Sequence, residues 1–122
     1  MSNTPKVFES EYRFCLLLWE HEPMNCSNLA KLAKEKLDWS RTTTYTVIKR
    51  LCDRGVLVNN DSVITSIVSK DEIQLAELEE MYAKRFESNL PAFIAAFAKQ
   101  QNLSDADVEE IKKIIDGAGA DK

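Results

Sequence analysis

The side chains best suited to chemistry in this chain lie close together in one segment, residues 39–55, which reads WSRTTTYTVIKRLCDRG. Threonine and tyrosine hydroxyls donate and accept hydrogen bonds, and the lysine and arginines among them carry positive charge. These groups suit contacts with phosphates, and an arginine can also donate two hydrogen bonds to the edge of a guanine. The chemistry that this segment offers is therefore binding of nucleic acid rather than making or breaking bonds.

The same segment has the pattern of a capped amphipathic helix. Ser40 is a favourable N-cap residue, and Gly55 is well placed as the residue that ends the helix. The positions expected to face inward are Thr44, Val47, Ile48 and Leu51. At about 100° per residue, the opposite side of such a helix carries hydroxyl and basic side chains.

Seven side chains on or beside this outer surface make up the predicted DNA-contacting set. Three lie opposite the inward stripe, three lie on its flanks and one lies in the first turn. The set is Arg41, Thr42, Thr43, Tyr45, Thr46, Lys49 and Arg50. A solvated amphipathic helix in an ordinary helical domain has a similar pattern, so the neighbouring elements must decide between the two interpretations.

The elements around this helix predict a winged helix-turn-helix. A first helix is expected over about residues 10–22, and Asn25 can cap a second helix. Residues 56–68 are rich in β-branched side chains, with turn-forming residues 59–62 among them, which predicts a short β-hairpin. The fold class is therefore mainly α with a small β-hairpin, and residues 1–69 are expected to form a winged-helix DNA-binding domain.

Residues 70–122 are predicted to form a helical C-terminal dimerisation region. Pro91 is expected to begin one of its helices and Ser104 to cap the last. These helices carry more apolar residues than they can bury alone, and a second copy of the chain is the economical partner. The positions expected at the dimer interface are Met81, Phe86, Phe93, Phe97, Ile111 and Ile115. The alternative is that the helices fold back on the winged-helix domain of the same chain.

Charge is distributed unevenly along the 122 residues, whose formal net charge is −4. Residues 1–69 contain nine lysines and arginines against eight acidic residues, whereas residues 70–122 contain seven against twelve. The acidity thus belongs to the second half, and the nearly neutral first half can still present a basic surface to DNA.

Composition argues against an enzyme, a metalloprotein and a membrane protein. The three cysteines, at positions 15, 26 and 52, are widely spaced without a CxxC motif, and His21 is the only histidine. No metal site and no cofactor are therefore expected. The sequence has no glycine-rich phosphate loop and no nucleophile with a base at usable spacing. No apolar run approaches about 20 residues and no secretory pattern is visible, which predicts a cytoplasmic protein without a membrane partner.

Three stretches of the chain together resemble the penicillinase-repressor family, which also includes methicillin-resistance and copper-transport repressors. They read SEYRFCLLLWEHEPMNCSNLA, WSRTTTYTVIKRLCDRGVL and FIAAFAKQQNLSDADVEEIKKII. The resemblance implies a dimeric winged-helix transcription repressor with a helical C-terminal dimerisation region. It matches Thr43, Thr46 and Arg50 to the residue types of the family's recognition helix. It matches Trp39, Ser40, Leu51 and Gly55 to framework positions.

The chain also departs from the pattern of that family. Thr42 and Tyr45 stand where relatives usually have basic residues, and the wing carries Asp61 where relatives usually have a basic turn. Residues 96–97, Ala-Phe, stand where the antibiotic-resistance repressors are cut beside an asparagine, so induction by that cut is not expected. No cysteine follows Cys52, so copper or zinc sensing by a C-terminal cysteine cluster is not expected either.

Two functional hypotheses follow from these observations. The first is a dimeric repressor that binds double-stranded DNA at a pseudo-palindromic operator, with the helix over residues 40–54 in the major groove of each half-site and the wing against the backbone. The second is a winged-helix protein-interaction module with weak or lost DNA binding. The first is the leading hypothesis. The alternative is motivated by the reduced basic character of the helix and wing and by the acidic second half.

Overall fold

The structure is a computed structural model that describes residues 3–120. Within that range the chain is mainly helical with one small antiparallel sheet, as the sequence predicts. The elements, in chain order, are α1 (Glu9–His21), β1 (Met24–Asn25), α2 (Cys26–Leu37), α3 (Arg41–Asp53), β2 (Leu57–Asn60), β3 (Val63–Ser66), α4 (Lys70–Arg85), α5 (Leu90–Gln100) and α6 (Asp105–Ala120). No helix in residues 3–120 is long and apolar enough to cross a bilayer.

The chain divides into two compact units, with the boundary in the sequence between Glu80 and Met81. This boundary lies inside α4, because Ile73 near the start of that helix is buried with the core of the first unit. The first unit therefore contains the beginning of α4 in addition to the region 1–69 that the sequence analysis takes as a winged-helix domain.

The core of the first unit is built from α1, α2, α3 and the sheet. Phe14 is fully buried and stacks on Trp39, with 5.3 Å between the ring centroids. The predicted inward stripe of α3 is confirmed, since its buried residues are Thr44, Val47, Ile48 and Leu51. Thr44 can occupy this apolar stripe because its hydroxyl donates a hydrogen bond to the Ser40 carbonyl oxygen, at 3.2 Å.

The sheet has the strand order β1-β3-β2, with both pairs antiparallel. The predicted hairpin is present, but its turn is shorter than the expected span 59–62, because β2 continues to Asn60. Only Asp61 and Ser62 make the turn, and both have a positive φ, as a two-residue hairpin of the primed type requires. Strand β1 was not predicted, since two residues are too few to show an alternating pattern.

The helix ends in the first unit follow the predicted signals. The side-chain oxygen of Asn25 accepts a hydrogen bond from the Ser27 N–H at 2.8 Å, which caps α2. The hydroxyl oxygen of Ser40 accepts from the Thr43 N–H at 3.1 Å, which caps α3. Gly55 has φ +84°, a left-handed conformation that ends the helix and turns the chain toward β2.

The second unit, residues 81–122, contains α5, α6 and the end of α4. Pro91 lies in the first turn of α5, and the Ser104 hydroxyl accepts from the Asp107 N–H at 3.0 Å to cap α6, as predicted. Phe93 packs edge to face against Phe86, with 5.0 Å between the ring centroids. Even so, α5 has no buried residue, so most apolar side chains of this unit remain accessible.

Candidate nucleic-acid interface

The position of α3 is determined by its buried side. The stripe described above packs into the core of the first unit, and α2 packs directly against α3. Because a helix that buries one side must present the other, the side chains on the opposite side of α3 point away from the core. The structure places all seven predicted DNA-contacting residues among the exposed residues: Arg41, Thr42, Thr43, Tyr45, Thr46, Lys49 and Arg50.

The outer crest of α3, which we define as Thr42, Thr46 and Lys49, lies opposite the buried stripe. The hydroxyls of the two threonines can donate to or accept from phosphates and base edges. The Lys49 ammonium lies 3.3 Å from an Asp53 carboxylate oxygen, one helical turn further on. Such an exposed pair stabilises a helix only slightly, so a phosphate can replace Asp53 as the partner of Lys49.

One flank of α3 carries Arg41 and Tyr45, which face each other across one helical turn. The Arg41 guanidinium carbon lies 5.3 Å from the centroid of the Tyr45 ring. The same guanidinium donates a hydrogen bond to the hydroxyl oxygen of Ser27, in the first turn of α2, at 3.1 Å. This flank therefore joins the beginnings of α2 and α3 through a cation.

The other flank of α3 carries Thr43 and Arg50. The Thr43 hydroxyl oxygen accepts a hydrogen bond from the Ser40 hydroxyl at 2.9 Å, which leaves the Thr43 hydroxyl hydrogen available to an acceptor outside the chain. Arg50 is exposed in the last turn, where a cation is also favoured by the helix dipole. The two flanks and the crest together expose seven side chains, most of them polar or basic.

The end of α3 is attached to α1 by an ion pair that the sequence analysis did not anticipate. A guanidinium nitrogen of Arg54 donates to a carboxylate oxygen of Glu11. Glu11 is buried, with only 6% of its surface exposed. Arg54 also donates to the carbonyl oxygen of Lys6 at 2.8 Å and lies over the ring of Phe8. Glu11 lies three residues after Phe8, the N-cap residue of α1, and its carboxylate also accepts a hydrogen bond from the Phe8 N–H at 2.9 Å. No local pattern in the sequence points to Arg54 as its partner.

The pKa of Glu11 reflects this environment. Burial raises the pKa, but the hydrogen bonds from Arg54 and the Phe8 N–H, together with the charges of Arg54 and Arg50, outweigh burial. The pKa of Glu11 therefore lies below its ordinary value of 4.5, and the pKa of Arg54 lies above its own because of the bond to Glu11. Both shifts favour the charged forms of the pair.

The wing is held to both α1 and α2. The Glu22 carboxylate at the end of α1 accepts hydrogen bonds from the Ser66 N–H and hydroxyl, at 2.7 and 2.9 Å. The Cys26 N–H donates to the carbonyl oxygen of Ser62 at 2.8 Å, so the tip of the hairpin lies beside the start of α2. Asp61 is exposed at this tip and gives it a negative charge.

The cysteines occupy three different environments. Cys15 is fully buried, and burial is the main cause that raises the pKa of its thiol to about 12. Cys26 and Cys52 are half-buried, and burial again raises the pKa of Cys52. Among residues 3–120, no group of three or more His, Cys, Asp or Glu side chains is arranged to hold a metal ion.

The six predicted dimer residues lie in different surroundings within the second unit. Phe86 and Phe93 are half-buried and contact each other, as described above. The other four are exposed: Met81, Phe97, Ile111 and Ile115. Phe97 is 65% exposed, which is high for a phenylalanine in a folded protein.

The helices and the hairpin of the first unit define the class of protein. Helices α2 and α3 form a helix-turn-helix whose second helix presents a polar surface, and the hairpin β2–β3 follows as a wing. This arrangement is the winged-helix fold of DNA-binding regulators.

The chain belongs to the penicillinase repressor family, whose sequence model matches residues 9–117. It is accordingly a DNA-binding transcriptional repressor. It is 22% identical to the methicillin resistance regulatory protein MecI of Staphylococcus aureus over 118 residues, which cover 93% of this chain and 96% of that protein. It is also 22% identical to the penicillinase repressor of Bacillus licheniformis over 120 residues, which cover 95% of this chain and 94% of that repressor.

Two solved structures match more than half of the chain. The solution structure of the DNA-binding domain of the repressor BlaI superposes with a TM-score of 0.53 at 22% identity and covers 59% of this chain and 93% of that domain. A second match, with the same score and coverage, is monomeric Bacillus licheniformis BlaI in complex with the blaP half-operator. Both matches confirm the predicted fold class.

Proposed function

We propose that the protein acts as a homodimer on a pseudo-palindromic operator, with α3 of each copy in the major groove of one half-site. The observation that carries this proposal is the division of α3 into a buried stripe and an exposed polar surface on a helix anchored at both ends. A rigid helix with such a surface is what direct reading of base edges requires. The solved BlaI complex with a half-operator supports this mode of binding.

The proposed contacts follow from the position of each side chain on α3. The crest residues enter the groove most deeply and are suited to base edges, whereas the flanks meet the two rims of the groove, where the phosphates lie. The proposed set is Arg41, Thr42, Thr43, Tyr45, Thr46, Lys49 and Arg50. The wing tip lies beside the start of α2 and meets the backbone on the same side, although Asp61 limits how strongly it binds there.

The exposed apolar side chains of the second unit support dimerisation. Like Phe97, two isoleucines of α6 are largely exposed: Ile114 is 63% exposed and Ile115 is 52% exposed. Burial of a large apolar side chain contributes about 1.5–3 kcal/mol, so a second copy that covers several of them gains a stable interface. We assign the interface to Met81, Phe86, Phe93, Phe97, Ile111 and Ile115, with Phe86 and Phe93 supporting the surface from beneath.

The family assignment favours a regulator rather than an enzyme. We propose that the protein works in the cytoplasm, where its DNA is accessible, and that it needs no cofactor and no metal to bind that DNA. Its second unit is proposed as the dimerisation region and its first unit as the DNA-binding domain.

The test is binding of the purified full chain to fragments selected from the source genome on immobilised protein. A recovered duplex is labelled and titrated across a salt series, with the variants Arg50→Ala and Thr46→Ala. Loss of the Arg50 phosphate contact is expected to weaken binding to every duplex and to make the salt dependence shallower by about one counterion for each half-site.

The matched control is Lys113→Ala, which removes one positive charge from an exposed position on α6. It should leave the affinity unchanged. If Arg50→Ala and Thr46→Ala bind as tightly as the unmodified protein, the proposed DNA surface is wrong. If no fragment is recovered and no salt-dependent binding is found, the chain acts as a protein-interaction module instead.

A further inference from the structure

We propose that Tyr45 contributes to DNA binding through Arg41, by holding its guanidinium in place for a backbone phosphate, rather than through a contact of its own. This inference rests on the proposed function and assigns different roles to two residues of its contact set. Arg41 is the group that touches DNA, and Tyr45 is a positioning residue.

The geometry of the flank carries this inference. The Arg41 guanidinium is held at two points, by the Tyr45 ring at 5.3 Å and by the Ser27 hydroxyl at 3.1 Å. An exposed arginine side chain has many rotamers, and ordering it when DNA binds costs conformational entropy. The two anchors restrict Arg41 before DNA binds, so less entropy is lost on binding. A guanidinium has five N–H donors, more than the bond to Ser27 uses, so it can bind phosphate oxygens without leaving its anchors.

The position of Ser27 indicates a phosphate rather than a base as the target of Arg41. Ser27 lies in the first turn of α2, and in a helix-turn-helix the first helix of the motif crosses the DNA backbone while the second enters the groove. A guanidinium held between the first turns of α2 and α3 therefore lies at the rim of the groove. The crest residues Thr42 and Thr46 lie on another side of α3 and do not compete for this place.

The surroundings of Tyr45 indicate a positioning role for its ring. Tyr45 is 37% exposed, so part of the side chain is covered, and the cation lies over its face. The attraction between a cation and an aromatic face depends on the ring and not on the hydroxyl. A direct hydrogen bond from Tyr45 to DNA would depend on the hydroxyl instead, so the two roles can be separated by experiment.

The experiment compares Tyr45→Phe, Tyr45→Ala and Tyr45→Leu with Arg41→Ala and the double variant Arg41→Ala/Tyr45→Ala. Each full-length protein is titrated across a salt series against the duplex recovered from genomic selection and against a random duplex of equal length. Tyr45→Phe keeps the aromatic face, whereas Tyr45→Leu keeps apolar bulk and a helix-forming residue but has no such face. Far-UV circular dichroism confirms that each variant is folded.

Arg41→Ala is expected to weaken binding to both duplexes by the same factor and to make the salt dependence shallower by about one counterion for each half-site. Tyr45→Ala and Tyr45→Leu are expected to weaken binding about 5- to 30-fold for a dimer on two half-sites, from an exposed cation–π contact at each. Tyr45→Phe should bind like the unmodified protein. The double variant should bind no more weakly than Arg41→Ala alone.

Two results would overturn the inference while leaving the proposed function intact. One is a loss for Tyr45→Phe as large as that for Tyr45→Ala, which would show that the hydroxyl contacts DNA. The other is a double variant whose loss is the sum of the single losses, which would show that the two residues act independently. Failure of the proposed function has a different signature, because the unmodified protein would then bind neither duplex or Arg50→Ala would bind normally.

Discussion

Glu11 and Arg54 form an ion pair that joins the first turn of α1 to the residue that caps α3 at its C-terminal end. The carboxylate is almost fully buried, and the guanidinium reaches it while also donating to the Lys6 carbonyl oxygen. The end of α3 is thereby fixed relative to α1, and with it the direction in which Arg50 points. The pair thus supports the proposed DNA-binding surface, although neither residue needs to touch DNA.

Neutralising Glu11 is expected to destabilise the first unit. Glu11→Gln keeps the shape of the side chain but leaves the Arg54 guanidinium without its charged acceptor, so the free energy of unfolding in urea should fall by about 1.5–3 kcal/mol. Glu9→Gln is the matched control, because Glu9 is exposed in the same helical turn. Equal stability of the two variants would show that the pair contributes nothing.

The same ion pair predicts a dependence of stability on pH. The pKa of Glu11 in the folded chain lies below its ordinary value of 4.5, so the unfolded chain binds the proton more tightly. The contribution of Glu11 is therefore complete above pH 4.5 and is lost as the pH falls through the lower, folded pKa. The difference in unfolding free energy between the unmodified chain and Glu11→Gln should shrink in acid. A difference that stays constant from neutral pH into that acid range contradicts the assigned cause.

Two glycine positions are expected to respond in opposite directions to alanine. Gly55 has φ +84°, and a Cβ there has no atom within 4 Å, so Gly55→Ala meets no clash and should lose about 1–2 kcal/mol through backbone strain alone. Gly117 lies inside α6, also with open space around it, so Gly117→Ala should stabilise that helix by roughly 0.5–1 kcal/mol. Thermal unfolding followed by circular dichroism measures both. If Gly55→Ala and Gly117→Ala changed the stability in the same direction and by similar amounts, backbone strain at Gly55 would not be the cause of its effect.

The assembly of the protein is expected to depend on Phe97. Phe97→Asp places a charge on the exposed apolar surface of the second unit and should convert the proposed dimer to monomer at micromolar concentration, as seen by sedimentation velocity. The helical content of the variant should be unchanged, since Phe97 is mostly exposed in the single chain. Asn102→Asp, an exposed polar position with the same new charge, should remain dimeric. A dimeric Phe97→Asp would place the interface elsewhere.

Local patterns predicted most of the first unit. The buried stripe of α3, its Ser40 cap and its Gly55 end depend on residues within a few positions of one another, so periodicity and capping preferences were enough to find them. The hairpin was predicted for the same reason, although its turn proved shorter, since the conformations of Asp61 and Ser62 depend on the pairing of the strands.

Contacts between distant parts of the chain were not predictable in this way. Glu11 and Arg54 are separated by 43 positions, and nothing in either local pattern identifies the other as its partner. The bond from Arg41 to Ser27 likewise depends on how α2 packs against α3. The contact between Arg41 and Tyr45 is different, because residues four positions apart on a helix are neighbours and this spacing can be read from the sequence. The residues on the exposed side of α3 could therefore be predicted from the sequence, whereas the contacts that hold the two ends of α3 in place could not.

Asn25 belongs to two elements at once. It is the last residue of β1, where it pairs with Val63, and its side chain caps α2 through the Ser27 N–H. The register of the sheet and the first turn of the helix therefore depend on a single position. An inserted or deleted residue between Pro23 and Ser27 would shift the strand pairing and remove the cap in the same step. This short junction is thus constrained in length, and changes of length between related chains are expected to fall elsewhere.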